Sequence, residues 1–310
     1  MSKVRVAVVG GGISGLMSAY VLAKEGMEVV LYEKEDYLGG HANTVMVDGT
    51  QLDIGFIIFN RVTYPNMMEL FESLGVDMEP CEMSFSVSLA QGQGCEWGTR
   101  NGLSSLFAQK KNAFNPSFWR MIREIMKFND DALNFCSYIE EIENNQEIDR
   151  NETLENFVQS HGYSELFKKA FLIPFCASIW SCSEGVMSFS AYSVLSFFLN
   201  HHALQLYGRP QWLTVKGRSQ DYVNKVRKEL ELRGCQIRTN SQVCSVLTID
   251  EGCTVTCKDG SEEVYNGCII AAHAPDALKM LGKQATYDES RILGAFQYAK
   301  RFSSMFSFNI

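Results

Sequence analysis

Apolar and polar positions alternate along the chain in blocks whose period changes from strand to helix and back. Val4 to Val9 is a short valine-rich run, as expected of a buried parallel strand. Gly10-Gly11-Gly12-Ile13-Ser14-Gly15 interrupts it, after which Ile13, Leu16, Met17, Tyr20 and Val21 recur at helical spacing, with Lys24 in the last turn and Gly26 placed to stop the helix. Val29 to Tyr32 is a second buried run closed by Glu33, so the segment reads as one β-α-β unit. Val45–Val47 and Gln51–Ile54 flank Asp48-Gly49 as a hairpin. Thr63 and Pro65 open a helix with Met67, Leu70, Phe71 and Leu74 on one face and Gly75 at its end. Phe85, Val87 and Leu89 alternate as a strand.

The middle of the chain is helical in period. Pro116 to about Ile142 predicts a long helix with Phe118, Trp119, Ile122, Ile125, Met126 and Leu133 inside, and further helices are predicted over Thr153–His161, Ser164–Leu172 and Ser188–Leu206. Strand patterns then return. Val215-Lys216-Gly217-Arg218 leads into a helix from Ser219 to Leu232, ended by Gly234, and a strand follows around Ile237. Val243–Ile249 and Thr254–Cys257 form a meander with turns at Asp250–Gly252 and Asp259-Gly260. Cys268 to Ala272 is another buried strand, and Pro275 opens a helix toward Leu281. The fold class expected is α/β: a Rossmann-like dinucleotide domain of residues 1–60 and 210–296, an inserted and largely helical cap of residues 61–209, and an atypical tail of residues 297–310.

The glycine spacing carries the first chemistry. Gly10 permits a tight turn, Gly12 lets backbone approach a diphosphate, and Gly15 lets the helix lie close on the strand, while free N–H groups at the helix start meet the negative charge. Glu33 ends the second strand, where its carboxylate can accept hydrogen bonds from ribose hydroxyls. An S-adenosylmethionine site is disfavoured because Val8 and Val9 stand before the first glycine. Gly39-Gly40, just beyond Glu33, suits a loop whose backbone passes close to a cofactor.

With these residues in view, Val6 to Val47 resembles the N-terminal flavin-binding signature of the flavin amine oxidase and phytoene desaturase superfamily, with a glutathione-reductase-type FAD-binding domain. The resemblance implies FAD, with the glycine pair along its diphosphate and ribityl chain. Many members carry arginine after that pair; here the residue is His41. Leu52 to Phe56 resembles the next family segment, where a small residue passes near the flavin ring. In the return segment the resemblance places the backbone of Val243 at the adenine edge and Ala271-Ala272 beside the diphosphate, and it finds Arg218 where paired glycines are frequent. The set expected to hold FAD is therefore Gly10, Gly12, Ile13, Ser14, Gly15, Glu33, Lys34, Gly39, Gly40, His41, Gly55, Phe56, Val243 and Ala271. Gly55-Phe56-Ile57-Ile58-Phe59-Asn60, Tyr64-Pro65-Asn66 and Cys95-Glu96-Trp97 are similar to the oxidase-like N-terminal region of plant cyclopropane-fatty-acyl-phospholipid synthases, whose methyltransferase region is absent here.

The activity implied is oxidation or desaturation of a small-molecule or lipid substrate by hydride transfer to FAD, with no catalytic side chain assignable. Nothing in Gln297–Ile310 resembles the strand and loop with which the family closes over the flavin, and Lys300 is the one late lysine to consider beside it. The expectation is a chain impaired as an oxidase. The competing reading is a non-catalytic FAD-binding module associated with a cyclopropane-fatty-acyl-phospholipid synthase. An NAD-dependent dehydrogenase is disfavoured by Gly39-Gly40 and the return segment.

Composition narrows the partners. The chain has 310 residues, 46% apolar residues and a formal charge of -8, so no global basic field points to nucleic acid. The ten cysteines, Cys176 and Cys182 among them, contain no C-x-x-C pair, and the five histidines form no ligand motif, so no metal site is expected. The uncharged stretch Val6–Ala23 is broken by glycines where a spanning helix needs continuous hydrogen bonds. A cytoplasmic protein without a transmembrane segment is expected. Peripheral membrane contact and oligomeric state are left open.

Overall fold

The structure, a computed structural model, describes residues 3–90, 93–100, 102–143, 151–180, 185–204 and 210–296. The elements begin with β1 (Arg5–Val9), α1 (Ile13–Lys24), β2 (Glu28–Tyr32), the hairpin β3 (Thr44–Val47) and β4 (Thr50–Asp53), β5 (Phe59–Asn60), α2 (Pro65–Ser73) and β6 (Met78–Cys81). There follow β7 (Ser86–Ser88), β8 (Glu96–Gly98), α3 (Leu103–Leu106), α4 (Pro116–Glu143), α5 (Leu154–Ser160), α6 (Glu165–Phe167), α7 (Ile173–Trp180) and α8 (Ala191–Asn200). The last third holds β9 (Trp212–Val215), α9 (Ser219–Leu232), β10 (Gln236–Arg238), β11 (Val243–Ile249), β12 (Gly252–Cys257), β13 (Glu262–Tyr265), β14 (Gly267–Ile270), α10 (Ala274–Leu281) and α11 (Tyr287–Gly294).

The fold is α/β and divides into two compact units. The first is Met1–Ile58, Asn66–Glu79 and Thr214–Ile310; the second is Phe59–Pro65 and Pro80–Leu213. In the first unit a parallel sheet runs in the order β10-β2-β1-β14. The central strands β1 and β2 are buried on both faces, which is why they read as nearly continuous apolar runs. Ala7, Val9, Val30 and Tyr32 pack on the antiparallel meander β11-β12-β13 through Val246, Val255 and Tyr265. On the helical side α1 packs against β1, β2 and α9, with Leu16 and Ala19 fully buried. Leu16 contributes roughly 1.5–3 kcal/mol by leaving water, and the single methyl of Ala19 less than about 1 kcal/mol.

Ion pairs tie the parallel sheet to the meander. Arg5 on β1 reaches Glu28 on β2 (2.9 Å) and Glu263 on β13 (2.7 Å), and Arg238 on β10 also pairs with Glu263. Tyr32 and Tyr265 share a hydrogen bond of 2.6 Å. The Arg238 guanidinium first, with help from Arg5, holds the Glu263 carboxyl down to about 2. The Asp48-Gly49 turn is as expected, both residues having positive φ (48° and 78°) between β3 and β4.

The second unit is mostly helical, with the short pair β7-β8. Its core gathers Trp97, Phe118, Met121, Phe128, Phe157, Phe167, Phe171, Phe175 and Phe198. Between α6 and α7 the chain makes a π-turn over Lys168–Leu172. Pro174 has no N–H to offer the carbonyl of Ala170, and the indole of Trp97 donates to that carbonyl instead (2.9 Å).

Several expectations need correction. Trp119, Met126 and Leu133 are 43%, 46% and 47% exposed; the inward stripe of α4 is Phe118, Met121, Phe128, Ala132, Cys136 and Ile139, one step round the helix. The helix expected from Ser188 begins at Ala191, capped by Ser190, and ends at Asn200; Leu206 and Arg209 lie outside the described residues. The predicted helix at Ser164 continues through the π-turn to Trp180. The span expected to form the cap is interrupted, since Asn66–Glu79 clusters with the first unit, where Phe71 packs against Tyr222 at 5.0 Å between ring centroids. The helix α11, with its Thr286–Glu289 capping box, was not foreseen. Cys182, Lys300 and the tail from Gln297 lie outside the described residues.

Candidate functional site

The glycine loop between β1 and α1 assembles as its spacing requires. Gly10 has φ 109°, and a Cβ there would stand 2.5 Å from the carbonyl oxygen of Ala271; at Gly15 it would stand 1.8 Å from the carbonyl oxygen of Gly10. Both positions are closed to any side chain by backbone. Gly12 differs, because a Cβ there would meet nothing within 4 Å. It is the N-cap of α1, in extended conformation, with no side chain capping the helix and no acid in its first turn. The amides that begin α1, including those of Ile13 and Ser14, therefore remain a donor set for an anion from outside.

Two segments flank this loop. On one side Gly39 N–H donates to the carbonyl of Gly11 (2.8 Å), and a Cβ at Gly40 would come within 3.1 Å of the Gly12 Cα. On the other, Ala271 N–H donates to the carbonyl of Val9 (2.7 Å). Glu33 closes the end: its Oε2 accepts from Gly11 N–H (2.6 Å) and its Oε1 from Glu35 N–H (2.9 Å). Gly11, absent from the expected set, is thus the residue that anchors the carboxylate, and its signal was the unbroken glycine triplet. Lys34 is not brought to the loop; it is exposed, 4.0 Å from Glu35. The Val243 side chain lies in the core.

His41 and the hairpin extend the site. Phe56 N–H donates to the His41 carbonyl (3.1 Å), and Gly55 passes so close that a Cβ would stand 1.9 Å from that oxygen. The His41 ring stacks on His273 at 5.8 Å between centroids and 23° between planes. Phe56 meets Tyr222 edge-on at 5.9 Å, and burial first, then Asp53, pushes the Tyr222 hydroxyl up to about 12. Asp53 itself caps α9: its Oδ1 accepts from Ser219 N–H (3.0 Å), Ser219 Oγ (2.7 Å) and Thr44 Oγ1 (2.6 Å), while Gln220 N–H donates to Thr44 Oγ1 (3.2 Å). Arg218 before it has φ 67° and ψ 172°, a region that glycine alone adopts without strain.

Of the expected set, Gly10, Gly12, Ile13, Ser14, Gly15, Glu33, Gly39, Gly40 and Ala271 surround one helix start, and His41, Gly55 and Phe56 adjoin it through backbone contact. An FAD diphosphate fits what is present: an uncapped amide terminus, an open Gly12, and glycine backbone on the neighbouring segment. His273, Asp53 and Ser219 were missed because each acts through a partner distant in sequence.

Known proteins resemble this chain along most of its length. A family model for flavin containing amine oxidoreductases matches residues 13–298. A 4,4'-diapolycopen-4-al dehydrogenase of Metabacillus indicus is 22% identical over 91% of this chain and 58% of its own length. A carotenoid 3,4-desaturase of Haloarcula japonica is 52% identical over 16% of this chain and 10% of its own length. Putrescine oxidase bound to putrescine has a TM-score of 0.66 at 18% identity, covering 94% of this chain and 63% of that one. An oxidoreductase from Methanosarcina mazei gives 0.63 at 18%, with 94% and 65% covered. At these identities the solved structures speak for the fold, and the chain spans less than two thirds of each of these relatives.

Proposed function

The chain belongs to the family of flavin containing amine oxidoreductases, and from that footing we propose that it binds FAD in its first unit and oxidises an organic substrate. The observation that carries the proposal is the start of α1, uncapped and opened by Gly12. The amides at Ile13 and Ser14 would take the diphosphate. Glu33 would take the adenosine ribose, the backbone of Val243 the adenine edge, and the backbones of Gly39, Gly40 and Ala271 the chain between. Gly55 and Phe56 would lie along the flavin ring. FAD, when bound, supplies the acceptor for a hydride from a substrate C–H bond.

The second unit would select the substrate. It holds a pocket of about 510 Å³ lined by Met83, Phe85, Val87, Leu89, Pro174 and Phe175, with the hydroxyls of Ser84, Ser86, Ser88 and Ser178 at its wall. That lining mixes apolar side chains with serines, so the preference for an unsaturated lipid over a charged amine rests on the likeness to the carotenoid 3,4-desaturase. The likeness to the oxidase-like region of cyclopropane-fatty-acyl-phospholipid synthases stands within this proposal, on Gly55–Asn60, Tyr64–Asn66 and Cys95–Trp97. Among the described residues no helix is long and apolar enough to cross a membrane. Among the described residues Cys95, Cys176, Cys235, Cys244, Cys253, Cys257 and Cys268 are free thiols, which suits a reducing cytoplasm.

The test is direct. The purified chain should bind FAD in an equilibrium titration and acquire the visible absorbance of a bound flavin. Anaerobic bleaching by polyenes, with none by diamines, would support the lipid reading. Failure to bind FAD would overturn the functional proposal.

A further inference from the structure

We propose that His41 and His273 form a two-sided imidazole clamp on the diphosphate of the cofactor, an inference that rests on the FAD reading above. The two residues arrive from opposite flanks of the glycine loop. His41 follows Gly39-Gly40, the pair tied to Gly11 and packed on Gly12. His273 follows Ala271-Ala272, the segment that closes on Gly10, and it is the N-cap residue of α10. Their rings nevertheless meet in a stack, at 5.8 Å and 23°.

The backbone of each residue is fixed independently of that stack. The His41 carbonyl accepts from Phe56 N–H, and the His273 carbonyl accepts from Ala277 N–H (2.8 Å) at the start of α10. Both side chains are exposed, so no core packing forces them together. Two fixed backbones therefore deliver two rings to one place, each carried by a segment that touches the glycine loop.

The chemistry of that place selects the ligand group. An imidazole keeps at least one N–H donor in every protonation state it visits in water. Two of them, added to the helix amides, suit a group with acceptor oxygens on two linked centres. A diphosphate has that form and carries negative charge on acceptor-only oxygens; the ribose diol also spans two linked centres, but its hydroxyls are neutral. The family arginine would supply a fork of donors from one side chain; here two separate segments would supply it, which also links the first cofactor segment to the return segment. Lys34 does not take this role, because its ammonium lies toward Glu35.

The experiment compares FAD, ADP and adenosine as probes by equilibrium titration against the parent chain, His41→Ala, His273→Ala, His41→Phe and His273→Phe, with melting temperature followed in parallel. Loss of one N–H donor should weaken FAD and ADP about fivefold in each of the four variants and leave adenosine within about twofold. The Phe variants retain a ring to stack and remove the donor, so they separate a clamp from a purely packed pair. The proposal is overturned if FAD and ADP affinities stay within twofold in the Ala variants, if the Phe variants bind like the parent, or if adenosine weakens by the same factor as ADP. A parent chain that binds neither FAD nor ADP would overturn the functional reading and this proposal with it.

Discussion

Two helices of the first unit begin after a strand and a glycine, and their N-termini are finished in opposite ways. At α1 the cap is Gly12, with no side chain on the amides and no acid in the first turn. At α9 the amides of Ser219 and Gln220 are taken by Asp53 and Thr44 from the hairpin, and Asp221 stands in the first turn. A helix start presents donors that must find acceptors, and the protein has satisfied one set internally. The other set it leaves for a ligand. The comparison separates a structural helix terminus from a binding one by what the chain itself supplies.

The largest expected effect comes from filling the open terminus. Gly12→Val should abolish measurable FAD binding, a loss of more than about 3 kcal/mol, because the branched side chain occupies the space a diphosphate needs. The fold should survive, since a Cβ at Gly12 meets no protein atom within 4 Å. Gly15→Val is the contrasting variant: its Cβ would stand 1.8 Å from the Gly10 carbonyl oxygen, so the fold itself should fail. Titration with FAD and a melting curve on each variant separate the two outcomes. Retained FAD affinity in Gly12→Val would place the ligand elsewhere.

Removing the internal acceptor at α9 should act on stability. Asp53→Ala leaves Ser219 N–H and two hydroxyls without their carboxylate, with Ser219 only 1% exposed. Loss of a cap with hydrogen bonds to a charged group costs about 2 kcal/mol. Chemical denaturation should show that loss, and Asp53→Asn should recover part of it. An unchanged midpoint would mean that water replaces Asp53 at little cost.

How much of this was legible in the sequence depends on the range of the physics. The tight turn at Gly10 and the close packing at Gly15 were legible because their requirements lie within one turn of chain and its two adjoining strands. The Asp48-Gly49 turn and the helix from Ser219 to Leu232 are local in the same sense. The inward face of α4 was misjudged because Trp119, Met126 and Leu133 form their own sevenfold row beside the true stripe; the side that turns inward is set by α6 and α8, far along the chain. The extension of the helix past Pro174 rests on the Trp97 indole, which no local pattern announces. In the site, His41 stood out by following a glycine pair, but its partner His273 and the Asp53–Ser219 cap are long-range pairings without a local signal.

The smallest expected effect concerns the residue that enters α9. Arg218 holds φ 67° with ψ 172°, a conformation that costs a residue with a Cβ on the order of 1–3 kcal/mol. Its family counterpart is often glycine, which adopts that conformation freely. Arg218→Gly removes the strain and also gives the unfolded chain more freedom, an opposing cost of roughly 0.5–1 kcal/mol. The balance is a gain near 1 kcal/mol, or a rise in melting temperature of about 1–3 °C. Arg218→Ala keeps the Cβ and the strain while deleting the guanidinium, so it should show no such gain. Thermal melts of the two variants beside the parent decide the matter. A lower melting temperature for Arg218→Gly would mean that the guanidinium contributes more than the backbone strain costs. The α9 terminus would then depend on Arg218 as well as on Asp53, and its contrast with α1 would be sharper than the caps alone make it.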